Sequence, residues 1–311
     1  MRFVVCGEAL IDLMPEGVPS AAPGKWIAHS GGGPFNTATA LAKLGEDTHF
    51  LGRLSTDAFG QQLRHHLLAA GVGLDLAVST EEATSLAIVS LDQEGKATYS
   101  FHFDQTSNFQ WRAGEFPQLH ADDWLHFGSI GSVIGPGAAV LTEFVRSTPA
   151  ALSFDINVRP STLPDREVYA DQVEELMREV GRNAGIVKAS DEDILWLADD
   201  EADPVQYARR CVDEFGLSMF VITVGAEGAV AVLSDGSTIG SPGRRVSVVD
   251  TVGAGDTFMA GFLSAYTRDR HDVRRALEHG IAAAAIVCGR QGAQPPTRDE
   301  VAALVGAAQR S

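Results

Sequence analysis

A chain of 311 residues that is 45% hydrophobic and 21% charged has the size and composition of one large α/β domain or of two smaller domains. Its formal net charge of -17 argues against a nucleic acid partner, which would need clustered lysine and arginine. Cys6, Cys211 and Cys288 are too few and too widely spaced for a disulfide framework or a structural zinc site.

The predicted elements begin with a buried strand at 3–6, which 8–12 continues, and with a loop rich in proline and glycine at 15–24. Further strands are predicted at 26–30, 48–51, 124–127, 151–155, 185–188, 219–223, 229–233 and 246–249. Helices are predicted at 37–44, 59–70, 138–146, 171–180, 203–215, 258–267 and 273–288. Repeated strand–helix units predict an α/β fold with a mostly parallel central sheet, covered by helices on both faces. Such a sheet binds ligands at the carboxyl ends of its strands.

One segment, 85–104, interrupts this alternation. A strand at 86–91, a glycine turn at 92–95 and an alternating stretch at 97–103 predict a β-hairpin that places Tyr99, Phe101 and Phe103 on one face. We therefore expect one domain over 1–311, in which 13–30 and 85–104 form a small β-sheet. An excursion of this kind serves as a lid or as a dimer contact.

The stretch 249–263 is the main candidate for a chemical site. Gly253, Ala254 and Gly255 have almost no side chain, and an apolar run with helical spacing follows Asp256. Small residues at a helix start leave backbone N–H groups open to an anion such as a phosphate, which the helix dipole favours. A carboxylate beside an anion can take the proton of a nucleophile that attacks it. The alternative is a glycine-rich turn with Asp256 as a helix N-cap.

Other polar residues fall at the ends of predicted strands. Asn36 is either a ligand contact or the N-cap of its helix, and Arg159 either contacts a phosphate or sugar or forms a surface ion pair. The acids 191–193 open a helix or attract Mg²⁺ indirectly. The full set is Asp12, Asn36, Asp155, Asn157, Arg159, Lys188, Asp191, Glu192, Asp193, Thr223 and Asp256. Because neither G-x-x-x-x-G-K-S/T nor G-x-G-x-x-G after the first strand occurs, 253–256 remains as the phosphate site.

Two segments resemble the paired motifs of the ribokinase-like (PfkB) carbohydrate kinase family. Asp-Thr-Val-Gly-Ala-Gly-Asp at 250–256, with 260–263, is similar to the C-terminal motif. Gly-Gly-Gly-Pro-Phe-Asn-Thr-Ala at 31–38 is similar to the N-terminal motif, although Ser55 stands where the family usually has glycine. The stretches 7–12 and 155–160 resemble the fructokinase branch. The segment 188–193 resembles a shorter form of the family's Asn-x-x-Glu pattern, and 223–228 resembles a nucleotide-contacting turn.

The resemblance implies a ribokinase-like fold, ATP and Mg²⁺ as cofactors, K⁺ as in many members of the family, and a role for each matching residue. Asp256 would be the base, the N–H groups of Gly253, Ala254 and Gly255 would form the anion hole, and Arg159 would reach the phosphates or the sugar. The implied sugar contacts are Asp12, Gly32, Gly33, Asn36, Phe101 and Phe103. The implied nucleotide contacts are Lys188, Ser190, Asp193, Thr223, Gly225, Gly228, Ala283 and Val287. The implied K⁺ site lies at Asp250 and Gly289.

The activity implied by the resemblance is ATP-dependent phosphorylation of a sugar, first of all of fructose to fructose 6-phosphate. The alternatives on the same fold are a 2-keto-3-deoxygluconate, ribose or nucleoside kinase, and a regulator that binds sugar or nucleotide without catalysis. A substrate with a carboxylate would need positive charges in the lid, but Lys96 is the only lysine or arginine in 85–110. The sequence therefore favours a neutral sugar as the substrate.

The expected partners are therefore the sugar and ATP, with a homodimer through the small sheet by family likeness. Neither a secretory signal nor a bilayer-spanning apolar run is evident, so we expect a cytoplasmic protein without membrane contact.

Overall fold

The computed structural model describes residues 1–16, 24–91, 97–198 and 203–308. The strands in these ranges are β1 (Phe3–Cys6), β2 (Leu10–Pro15), β3 (Trp26–Gly31), β4 (Thr48–Leu51), β5 (Arg53–Ser55), β6 (Val78–Thr80), β7 (Leu86–Leu91), β8 (Ala97–His102), β9 (Trp124–Gly128), β10 (Ala151–Asp155), β11 (Ile186–Ser190), β12 (Met219–Val224), β13 (Gly228–Leu233) and β14 (Thr238–Pro242). The helices are α1 (Gly33–Lys43), α2 (Ala58–Ala70), α3 (Gly137–Ser147), α4 (Arg166–Arg182), α5 (Asp191–Ala198), α6 (Pro204–Phe215), α7 (Ala254–Tyr266), α8 (Val273–Cys288) and α9 (Arg298–Ala308).

The central sheet has eight strands in the order β14-β13-β12-β11-β10-β9-β1-β4. The strands from β12 to β4 pair in parallel, whereas β13 and β14 are antiparallel at one edge. Side chains of β1 alternate between two apolar clusters: Phe3 and Val5 pack with α1, α7 and α8, while Val4 and Cys6 pack with α3, α4 and α6. Helices therefore cover both faces, and the predicted mostly parallel sheet is confirmed.

A second sheet of four strands, in the order β3-β2-β7-β8, is the predicted small β-sheet. The chain turns at Gly7, whose φ of 149° suits glycine, and enters this sheet at Leu10. The prediction that 8–12 continues the first strand is therefore wrong. The ring centroids of Phe101 and Phe103 lie 4.9 Å apart, and Phe103 packs on Phe109. The predicted turn at 92–95 and the side chain of Tyr99 lie outside what the structure describes.

The predicted strand at 246–249 is wrong. Val248 and Val249 lie outside any strand, and each is 62% exposed. A run of β-branched residues forms a strand only where it pairs with a neighbour, and here β14, not 246–249, pairs with β13. The sequence reading missed β14 and also α9.

Several helices begin earlier than predicted, among them α4 at Arg166, and the early starts of α1 and α7 bear on the site. α1 begins at Gly33, so Asn36 lies inside its first turns and is not its N-cap, and α7 begins at Ala254, with Asp256 in its first turn. The N-cap residues are Gly32 and Gly253, with φ of 113° and 74°, and neither helix has a side-chain cap. In the ranges that the structure describes, no helix combines the length and apolar character needed to cross a membrane.

Candidate active site

The N-termini of α1 and α7 meet at the carboxyl ends of the central strands. Asn36 Nδ2 donates a hydrogen bond to Asp256 Oδ2 at 2.8 Å. A Cβ on Gly33 would lie 3.3 Å from Asp256 Oδ1 and 2.9 Å from Asn157 Nδ2, so Gly33 leaves the space that these two polar groups occupy. The two motif segments singled out in the sequence are thus joined by direct contact.

Asp256 is a buried carboxylate at this junction, with 7% of its surface exposed. Burial and the neighbouring Asp155 raise its pKa to about 7, while the Asn36 amide, Lys188 and Arg159 act in the opposite direction. A group whose pKa lies near neutrality can accept a proton from a hydroxyl and release it again. The geometry therefore suits Asp256 for general base chemistry and not for helix capping.

The backbone before Asp256 presents the start of α7 toward the same space. Gly253 adopts a left-handed conformation, and its Cβ would come within 2.8 Å of Ala293 Cβ. The N–H groups of Gly255 and Asp256 lie in the first turn, where a helix has no acceptor of its own. Ala254 N donates to Thr251 O at 3.2 Å, so one of the three predicted anion-hole amides also closes the turn.

Lys188 and Asp155 form a buried ion pair under this turn. Lys188 Nζ lies 3.0 Å from both carboxylate oxygens of Asp155. A Cβ on Gly255 would lie 3.0 Å from the same Nζ. Burial alone would lower the pKa of Lys188, but the carboxylates of Asp155, Asp193 and Asp256 together outweigh burial and raise it. Lys188, predicted as a nucleotide contact, therefore lies beneath the helix start as a paired cation.

Asp12 and Arg159 belong to the side of the site that faces the small sheet. Burial raises the pKa of Asp12 to about 6, and the charges of His29 and Arg159 act against burial. Arg159 also acts on Asp256, so its positive charge influences both carboxylates. Gly31 leaves room for the Asp12 carboxylate in its present position, because a Cβ there would lie 2.5 Å from Asp12 Oδ2.

Ser190 and Asp193 are engaged with each other. Ser190 Oγ accepts from Asp193 N at 3.0 Å, and Asp193 Oδ2 accepts from Ser190 N at 2.7 Å. The other Asp193 oxygen accepts from Val158 N at 2.8 Å. These side chains close the start of α5 and tie it to the segment before Arg159, so they support the site from behind in this structure.

The predicted nucleotide turn joins β12 and β13. Thr223 is half-buried, and Gly225 and Gly228 have positive φ values of 45° and 116°. The turn lies beside a shallow cleft lined by Val224, Glu227, Ala229, Val230, Gly240, Ser241 and Pro242. Ala283 and Val287 are not brought to this cleft. They are 0% and 1% exposed in the packing of α8, where Ala283 lies against Gly261. In this structure the adenine contacts predicted at these two residues are not available, because the alanine-rich face of α8 packs against α7.

Asp250 is tied to the loop after α8. Its two carboxylate oxygens accept from Val252 N at 3.0 Å and from Gly292 N at 2.9 Å. Cys288 O, directly before Gly289, accepts from Asp250 N at 3.2 Å. Asp250 and the Gly289 loop are thus neighbours. Among the described residues, no group of three or more His, Cys, Asp or Glu side chains could hold a metal ion.

One polar residue at the site escaped the sequence analysis as a candidate. Glu8 is 1% exposed, and its oxygens accept from Gly33 N at 3.2 Å and from Gly131 N at 3.0 Å. Burial raises the pKa of Glu8, and these backbone donors oppose that effect. The sequence offered one signal for Glu8, because this acidic residue directly follows Gly7 at the end of the buried strand β1.

Comparisons with known proteins agree with this geometry. The sequence matches the pfkB family carbohydrate kinase over residues 2–300. A fructokinase of Rhizobium leguminosarum bv. trifolii is 34% identical over 270 residues, which are 86% of this chain and 80% of that protein. The solved fructokinase with bound ATP from Xylella fastidiosa has a TM-score of 0.87 at 27% identity and covers 99% of both chains. Aminoimidazole riboside kinase from Salmonella enterica, complexed with aminoimidazole riboside and an ATP analog, has a TM-score of 0.81 at 25% identity, over 98% of this chain and 100% of that one.

Proposed function

This chain belongs to the pfkB family of carbohydrate kinases and is an ATP-dependent sugar kinase with a ribokinase-like fold, and we propose that it converts fructose to fructose 6-phosphate. The observation that carries the mechanism is the buried Asp256, hydrogen-bonded to Asn36 where two helix N-termini meet. The fructokinases to which the chain is similar support the choice of sugar.

In the proposed reaction, Asp256 accepts the proton of the attacking sugar hydroxyl. The hydroxyl oxygen forms a bond to the γ-phosphorus of ATP, and the bond to the leaving ADP breaks. Positioning and charge stabilisation supply most of the rate in such transfers. The N–H groups of Gly253, Ala254 and Gly255 stabilise the transferring phosphoryl group together with the α7 dipole, and Arg159 adds a positive charge.

The sugar is proposed to lie between α1 and the small sheet. Asp12 and Asn36 offer a carboxylate and an amide to sugar hydroxyls, while Gly32 and Gly33 allow the ring to approach the backbone. Phe101 and Phe103 cover the sugar from the lid, which keeps water from the phosphoryl group.

The nucleotide is proposed to lie along the turn that holds Thr223, Gly225 and Gly228. Lys188, Ser190 and Asp193 act behind it, since their side chains are already paired. Mg²⁺ would arrive with the phosphates of ATP and keep several waters. We propose that K⁺ binds between Asp250 and the Gly289 loop, where backbone carbonyl oxygens would serve as its ligands.

The homodimer through the small sheet and the cytoplasmic location stay predictions. Met14 pairs in register with Ile27 on one face of that sheet, and these two residues are 42% and 47% exposed. An apolar face of this kind supports a contact between two copies.

The function is tested with purified protein, MgATP and a panel of fructose, ribose, 2-keto-3-deoxygluconate and aminoimidazole riboside, with and without K⁺. We expect the largest kcat/KM for fructose. A larger value for the riboside would replace our assignment with the activity of the Salmonella relative, and equal values for all sugars would overturn the choice of fructose.

The mechanism is tested on the same assay with Asp256→Asn. We expect ATP binding within a few fold of the unmodified protein and a loss of turnover of about 10²–10⁴, the usual contribution of a general base. Asp171→Asn removes the same charge from an exposed position on α4 that has no proposed role in the reaction, and it serves as the control. Near-normal turnover of Asp256→Asn would remove Asp256 as the base.

A further inference from the structure

The ion pair between Lys188 and Asp155 is formed by residues directly opposite each other on neighbouring strands. β10 and β11 pair in parallel with Asp155 opposite Lys188, at the carboxyl ends of both strands. Both residues are nearly inaccessible, with 4% and 3% of their surfaces exposed. Desolvating two charges costs about as much as their attraction returns, so a buried pair of this kind is weak evidence for a role in stability alone.

The pair lies against the reacting end of α7. Lys188 Nζ lies 3.0 Å from the place where a Gly255 side chain would begin, and Asp155 lines the same small cavity as Asp256. The charges of Asp155 and Lys188 also act on Asp256. Gly255 also carries one of the N–H groups assigned above to the anion hole. The pair therefore touches the proposed phosphoryl site from below without being exposed to substrate.

We propose that Asp155 and Lys188 are positioning residues for phosphoryl transfer: Lys188 supports the first turn of α7 under Gly255, and Asp155 makes Asp256 a stronger base. The inference rests on the proposed role of Asp256 as the base.

The charges around Asp256 explain the direction of this effect. With Asp256 ionised, the buried cluster holds two carboxylates and one ammonium group. When Asp256 takes the proton of the sugar hydroxyl, the remaining Asp155 and Lys188 balance each other. The negative charge of Asp155 therefore favours the protonated product of the transfer, and Lys188 limits this effect. Burial raises the pKa of Asp155, while the Lys188 ammonium group acts against burial and favours the ionised carboxylate.

The other groups that face this cluster are few in the described part of the chain. Arg159 follows β10 and adds a positive charge, Asn36 on α1 donates a neutral hydrogen bond, and Asp193 at the start of α5 acts on the pair from the opposite side. His126 on β9 is neutral, because burial and the Lys188 charge lower its pKa to about 3. None of these groups is changed by the variants proposed below.

The test is the pH dependence of kcat/KM for the sugar substrate at saturating MgATP, measured on the full-length protein. In Asp155→Asn we expect the acid limb to move down by about one pH unit, in the range that a single nearby charge produces, with a lower plateau. In the double variant with Lys188→Met, both charges are lost, so the limb should return toward its original position. Asp171→Asn is again the control for net charge and should leave the limb in place.

A purely structural role would lower thermal stability in the single and double variants without moving the limb, and this result would overturn the inference. Should Asp155→Asn fail to fold, Asp155→Ser leaves room for a water beside Lys188 and provides the same readout. Asp256→Asn is measured in parallel. Near-normal turnover of Asp256→Asn would contradict the role of Asp256 as the base. Loss of turnover in Asp256→Asn, together with an unmoved acid limb in the Asp155 variants, would contradict only the positioning role of Asp155 and Lys188.

Discussion

Two kinds of helix start can be compared among the described helices of this protein. Four helices begin at an aspartate whose carboxylate accepts a hydrogen bond from a backbone N–H group. These N-cap residues are Asp57 for α2 (2.7 Å), Asp165 for α4, Asp203 for α6 (2.8 Å) and Asp272 for α8. α1 and α7 begin after a glycine in a positive-φ conformation and have no side-chain cap. The two kinds of start differ in what their free N–H groups can do.

A capped start uses its N–H groups for the stability of the helix, whereas a glycine start leaves them for a ligand. The two glycine starts are also the two that meet at Asp256. Aspartate therefore has opposite effects in the two settings. As a cap it stabilises a helix, while in the first turn of α7 it is buried next to another carboxylate and its ionised form is disfavoured.

The strongest way to break this contrast is Gly253→Ala. The φ of 74° strains any other residue, and the added Cβ would meet Ala293 at 2.8 Å, so the first turn of α7 must shift. We expect a loss in kcat of about 10²–10³, comparable to the loss of one anion-hole donor. Gly71→Ala is the matched control, because Gly71 also has a positive φ, of 92°, but a Cβ there meets nothing within 4 Å. Equal effects of both changes on kcat would contradict the special role of the α7 start.

A second experiment measures stability against pH for Asp256→Asn. The folded pKa of about 7 lies above the ordinary value of 3.8, so the folded protein binds a proton that the unfolded chain has already released between these values. This carboxylate therefore lowers the free energy of unfolding as pH rises from 4 to 7. We expect the variant to gain on the order of 4 kcal/mol above pH 7, a gain that disappears near pH 4. Urea unfolding at several pH values checks this, and a pH-independent difference would contradict it.

The smallest effect is expected at a capped start. Asp203→Ala removes the acceptor for the N–H groups of Val205 and Gln206, so the free energy of unfolding should fall by about 1 kcal/mol while kcat and KM stay unchanged. Asp203→Asn keeps a side-chain oxygen and should recover most of the loss in a melting experiment. A change in kcat would mean that the two kinds of helix start are not separate in function.

The fold and the meeting of the two motifs could be predicted from the sequence. Alternation of apolar runs with helical segments indicated the parallel sheet, and small residues before Asp256 indicated the open helix start. The exposed valines near 248 were misread because local β-propensity does not reveal whether a neighbouring strand is available.

Details of the site depended on contacts between distant segments. Asp155 and Lys188 were each recognised as polar strand ends, but their pairing depends on the register between β10 and β11. Glu8 accepts from Gly131, 123 positions away, and no local pattern reports such a contact. Ala283 and Val287 were placed beside adenine by family likeness, whereas their burial against α7 follows from helix packing.

The hydrogen bond between Asn36 and Asp256 spans 220 positions of the chain, and this separation has a consequence during synthesis. A chain growing on the ribosome exposes α1, the small sheet and most of the central sheet well before α7 is made, and such regions fold from the N-terminus onward. Under the proposed mechanism, none of these unfinished chains has a base or an anion hole. A nascent molecule therefore cannot consume ATP, and its chemistry begins only once the last quarter of the polypeptide has joined the fold.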